Sequence, residues 1–192
     1  MDNYQGQEAI RTNQDVKNEM WMRGIIRYVV RHRGIRVSFA IAFLLLALDI
    51  VVDGASLHSM LFCPVWFFAS IIKNAVQRPG WKLAALRISI PLLTLLVSVE
   101  NSFFQIHVAT ENASRIVAAC ENFHAATGKF PQVLNELVPD YLPTIPRAKY
   151  CLSFNKFSYW NLDGHATLTW YEMPPFGRRI YDFDQRRWGS LD

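Results

Sequence analysis

The chain is poor in the residue groupings that most chemistry requires. Its 192 residues include three cysteines, Cys63, Cys120 and Cys151, with no CxxC pair and no Cys/His spacing that suits zinc. No glycine-rich loop is present to cradle a phosphate, which argues against nucleotide binding. Ser153, Ser158 and Ser190 lack the context of a nucleophile elbow. The histidines His32, His58, His107, His124 and His165 are scattered along the chain. No catalytic set, metal site or cofactor is therefore expected.

Charge is also scarce, at 19% of residues against 51% hydrophobic. The average conceals two unlike regions. Residues 37–109 are mostly apolar, whereas residues 110–192 read as a polar globular sequence. Residues 1–36 hold seven Lys/Arg against four Asp/Glu, and residues 103–192 hold nine against nine. A nucleic-acid surface would carry its excess positive charge on the folded domain. Here the excess flanks an apolar run, as it does on the cytoplasmic side of a membrane protein, and no nucleic-acid partner is expected.

Three runs are candidates for membrane helices: residues 37–52, residues 57–72 with Pro64 inside, and residues 83–108, interrupted by Arg87, Pro91 and Glu100. The first is short for a crossing, which takes about 20 apolar residues. Nothing resembles a cleavable signal peptide, because the first run follows a long polar leader and has no small-residue cleavage site close behind it. Arg23, Arg27, Arg31, Arg33 and Arg36 precede the first run, residues 53–56 have no Lys or Arg, and Lys73, Arg78 and Lys82 lie between the second and third. The positive-inside rule then puts the N-terminus in the cytoplasm and residues from about 110 onward in the periplasm of a bacterial inner membrane.

Residues 19–36 alternate Met20, Ile25, Ile26, Val29 and Val30 with arginines, which predicts an amphipathic helix on the inner leaflet, in contact with lipid. Asp49, Arg87 and Glu100 are the charged residues of the spans. Each lies near an end, so anchoring at an interface or a polar helix–helix contact is expected ahead of an ion path.

Beyond residue 110, Ile116, Ala119, Cys120 and Phe123 follow the spacing of one buried helical face. Gly128 is a C-cap and Pro131 stops the helix. No Gly or Pro separates Leu92 from Thr127, so the third span is expected to run on as the first helix of the outer domain. A turn at Leu134 and Leu137 follows, then an extended path through Pro139, Pro143 and Pro146. Residues 157–162 and 165–171 flank Asp163–Gly164, a strong hairpin signal. Residues 178–183 and 186–188 flank a second turn at Asp184–Gln185. Leu168 and Trp170 share one face, with Thr167, Thr169 and Tyr171 on the other. The expected fold is α+β: three transmembrane helices, the third continuing into a long helix packed on a small antiparallel sheet.

This order of elements resembles the type IV pilins and the pseudopilins of type II secretion. Phe123, Gly128, Phe130 and Pro131 match the pattern that ends the long pilin helix, and Leu134, Leu137, Val138 and Pro139 match the segment that follows it. The resemblance covers residues 88–192 and is most specific over 116–146. It implies a half-embedded helix packed on an antiparallel sheet. No prepilin peptidase site precedes the third span, so the pilin-like domain is expected to stay on its polytopic anchor. The acidic cluster of calcium-binding pseudopilins has no counterpart, and no calcium site is carried over.

Cys120 and Cys151 would both lie in an oxidising compartment. A bond between them would close a loop of about 30 residues and contribute roughly 2–4 kcal/mol; the alternative is two buried free thiols. Trp170, Tyr171, Phe176 and Trp188, with Arg178, Arg179, Arg186 and Arg187, form a candidate interaction surface, since Trp, Tyr and Arg dominate binding hot spots. The alternative is a solvated face beside an aromatic core. Two functions suit this organisation: a non-catalytic envelope protein contacting a protein partner or a second copy of itself, and an immunity protein against a toxin acting at the membrane or in the periplasm. An enzyme or transporter is the third reading, and isolated charges on three spans make a poor transport path.

Overall fold

The computed structural model describes Met20, residues 33–162 and residues 164–191. The leader expected to form an inner-leaflet helix lies largely outside these residues, as does Asp163 of the first hairpin turn.

Among the described residues, three helices are long and apolar enough to cross a membrane. The first, α1, covers Arg33–Leu46 and passes without a break into a π-helical turn, Ala47–Asp53. Together they span 21 residues. The run that looks short in the sequence gains length at its start, where Arg33 and Arg36 are exposed. Helix α2 is Leu57–Gln77 with Pro64 inside it. Helix α3 runs unbroken for 47 residues over Trp81–Thr127, about 70 Å at the usual rise. It ends at Gly128, whose φ of +76° is left-handed and whose N–H bonds back to His124 O, a common helix C-cap.

A 3-10 turn at Leu134–Leu137 buries both leucines. Four strands follow as an antiparallel meander in the order β1-β2-β3-β4: β1 Ser158–Leu162, β2 His165–Met173, β3 Phe176–Asp182 and β4 Arg187–Leu191. The expected four strands are present. The last two begin or end a few residues from the expected limits, with β3 starting at Phe176 and β4 extending to Leu191.

Two clusters form the interior. Between α1 and α3, Ile35, Ala42 and Ile90 pack with Trp66, Leu83 and Leu86. In the C-terminal region, Ala113, Ile116 and Cys120 of α3 share one buried cluster with Leu137, Leu168, Trp170, Tyr181 and Phe183. Period-2 alternation puts Ala166, Leu168 and Trp170 of β2 on that buried side. Trp170 is only 2% exposed. It is a core residue, so it leaves the candidate interaction surface.

Candidate functional site

The most organised polar chemistry lies where α1 ends. Asp49 sits in the π-helical turn and is fully buried. Its Oδ1 accepts the backbone N–H of His58 at 2.9 Å, and its Oδ2 accepts that of Ser59 at 2.9 Å. These are the second and third residues of α2. A carboxylate at the first turn of a helix satisfies donors that have no partner within the helix, and it faces the positive end of the helix dipole. Asp49 thus caps a helix other than its own. Ser98 of α3 donates its hydroxyl to Asp49 Oδ2 at 2.6 Å, so one carboxylate ties three helices together. His58 Nδ1 stands 3.0 Å from Asp49 Oδ1 and 3.4 Å from Asp53 Oδ2. A buried carboxylate without such partners would be costly.

A second cluster joins this turn to the C-terminal region. The irregular segment 148–153 lies across the α1–α2 turn as a strap. Leu152 and Ser153 donate their backbone N–H groups to Val51 O at 2.9 Å and Val52 O at 3.0 Å. These are carbonyls at a helix end, which otherwise lack partners. Lys149 is fully buried, and its Nζ donates to Gly54 O at 3.1 Å and to Glu172 O at 2.8 Å. Burial pushes its ammonium down from 10.5 to about 8, against the opposing pull of Cys151, Glu172 and Asp53. Gln105, buried on α3, accepts Tyr150 N–H at 2.8 Å and donates to Tyr150 O at 3.3 Å. Gly54 is required twice over. Its φ is +60°, and a Cβ there would stand 3.0 Å from Cys151 Sγ.

Cys120 and Cys151 are not bonded; both thiols are free and buried. The cause is height along α3. Cys151 follows Tyr150, which is held at Gln105. Cys120 lies fifteen residues further along the helix, about 22 Å at the usual rise. A disulfide bridges Cα atoms no more than about 7 Å apart.

No protein-family model matches the chain, and neither does any curated protein or solved structure.

The remaining candidates fall in different places. Arg87 donates to Gln77 Oε1 at 2.9 Å and Asn74 Oδ1 at 3.4 Å, closing the turn between α2 and α3. Glu100 is exposed on α3. The supposed interaction surface does not form one patch. The register pairs Tyr181 with Trp188 and Trp170 with Arg179, so Trp188 and Arg179 share the buried side of the sheet. Tyr171 and Arg178 pair on the opposite side, with the guanidinium 5.7 Å from the ring centre. Arg187 joins them there, opposite Asp182. Phe176 is 70% exposed at the start of β3, and Arg186 is exposed in the last turn at a φ of +49°. Among the described residues, no three His, Cys, Asp or Glu side chains gather as a metal site would need.

Sequence reasoning missed Ser98, Gln105, Lys149 and Gly54. One signal was available. Thr94, Ser98, Ser102 and Gln105 recur at spacings of three and four within an otherwise apolar helix, which marks a polar face turned to other helices rather than to lipid. Lys149 gives no such signal, because its burial depends on a turn 95 residues earlier.

Proposed function

We propose that the chain is a non-catalytic inner-membrane protein that presents a pilin-like domain outside the membrane for protein–protein contact, in a secretion or envelope-assembly system. The observation that carries this reading is α3, a single helix whose first half exposes leucine and phenylalanine and whose second half buries apolar residues with the sheet. A helix of this kind fixes a small domain at a set height and orientation above a bilayer. The strap and Asp49 make the support stiff, which suits a contact surface better than a mobile catalytic loop.

The orientation is tested by cysteine accessibility. A Ser114→Cys probe should react with an impermeant reagent added outside the cytoplasmic membrane; protection until the cells are lysed would overturn the assignment. The function is tested by photo-crosslinking in native membranes, with probes distributed over the outer domain. A discrete envelope protein captured from one face supports the reading, and a clean negative across all faces sinks it. The same build, three short spans clamped to a small outer domain, also suits a membrane immunity protein. Protection of a sensitive strain against a membrane-active toxin would favour that alternative.

A further inference from the structure

Among the described residues, the C-terminal sheet has one edge strand, β1, that carries neither charge nor proline. β1 pairs only with β2 and forms one margin of the sheet. Edge strands are commonly blunted by lysine, proline or a bulge, yet β1 reads Ser-Tyr-Trp-Asn-Leu with neither charge nor proline. The opposite margin, β4, opens on Arg187 directly after Arg186. The hairpin between β1 and β2 has a two-residue loop flanked by the pair Leu162 and His165. That geometry directs the backbone groups of Leu162, Trp160 and Ser158 toward β2 and leaves those of Tyr159 and Asn161 facing outward.

Beside this edge lies an open cleft of about 540 Å³. Leu134, Ile145, Phe157 and Tyr159 supply its apolar and aromatic surface, and Arg147 and Lys156 supply its charge. Both cations are exposed, and among the described residues no acidic side chain lines the cleft. An extended segment laid along β1 would complete the backbone pairing of Tyr159 and Asn161, place an aliphatic side chain in the cleft and bring a carboxylate to the two cations.

We propose that the β1 edge and its cleft bind an extended, acidic-aliphatic peptide segment of a partner protein by strand addition. Charge selects this occupant over a second copy of the chain, because the two exposed cations attract a carboxylate and the β1 strand of a second copy, Ser158–Leu162, carries none. The proposal rests on reading the outer domain as a protein-binding module and names the kind of partner that it takes.

The test uses the full chain in detergent micelles and a fluorescein-labelled peptide, Thr-Val-Asp-Val-Asp-Leu-Thr, followed by fluorescence anisotropy. The acidic peptide should bind. A version with Lys for each Asp, and one with Pro at alternate positions to remove backbone donors, should not. The double variant R147E/K156E changes only exposed side chains and should weaken binding about tenfold, or 1.4 kcal/mol, while the far-ultraviolet circular dichroism stays unchanged. No binding by the acidic peptide, or equal binding by the double variant, overturns the proposal. So does a self-associated chain that the peptide leaves intact. A partner crosslinked through Trp160 or Tyr171 on the opposite sheet face, but never through Lys156, would sink the cleft and leave the broader function standing.

Discussion

Between Pro91 and Gln105, helix α3 buries Thr94, Ser98, Ser102 and Gln105 and exposes Leu92, Leu93, Leu96, Val97, Phe103 and Phe104. Beyond Gln105 it buries Ala109, Ala113, Ile116 and Cys120 and exposes Thr110, Glu111, Ser114 and Arg115. The buried stripe is continuous along one face, and only its chemistry changes. Where the surroundings are lipid, apolar side chains gain little by turning inward, so small and polar residues make the helix contacts. Where the surroundings are water, burying apolar area is the driving force. The reversal falls at Gln105, the residue that holds the strap.

The contrast can be broken first at Asp49. Asp49→Asn keeps the shape but removes the charge that three donors and His58 surround. It should cost about 3–4 kcal/mol, given roughly 1.5–3 for each hydrogen bond to a charged group, offset in part by the amide oxygen. Thermal unfolding in detergent measures it, and a loss below that of a surface substitution would show that polar ties do not hold the spans. Ile116→Ala in the other half should cost about 3 kcal/mol through lost burial and a residual cavity. Limited proteolysis should then cut the C-terminal domain while the three apolar helices remain protected; equal cleavage in both would mean that the halves unfold as one. Gln105→Leu sits at the boundary and removes both bonds to Tyr150, for about 2 kcal/mol. Its hydrogen-exchange signature should be local, with faster exchange at residues 150–153.

A further test is a pH dependence. Below about pH 8, Lys149 is charged in the folded and unfolded chain alike, and folding carries the full cost of burying that charge. Between about 8 and 10.5 the folded chain gives up the proton while the unfolded chain keeps it. Stability from this group therefore rises with pH over that window. Lys149→Met should remove the rise; a parallel pH profile for the two proteins would show that the ammonium is not desolvated.

Local signals were legible in the sequence, and long-range ones were not. The absence of Gly and Pro between Leu92 and Thr127, followed by Gly128, marked one continuous helix and its end. The turn at Asp163–Gly164 marked the first hairpin. Alternation along β2 already put Leu168 and Trp170 together, so counting Trp170 as surface went against a pattern visible in the chain. Asp49 was legible as an unusual residue but not as a cap, because the helix that it caps begins after a turn whose path no local rule fixes. The disulfide failed for a related reason. Separation along the chain carries no information about height along a 47-residue helix.

The strap has a consequence for biogenesis. Val51 and Val52 leave the ribosome about 100 residues before Leu152 and Ser153, which occupy their carbonyls. At typical elongation rates of roughly 5–20 residues per second, the α1–α2 turn waits on the order of 5–20 s for its closing segment. Residues 152 and 153 thus seal a helical turn made about 100 residues earlier, and a product stalled before them leaves the carbonyls of Val51 and Val52 without these partners.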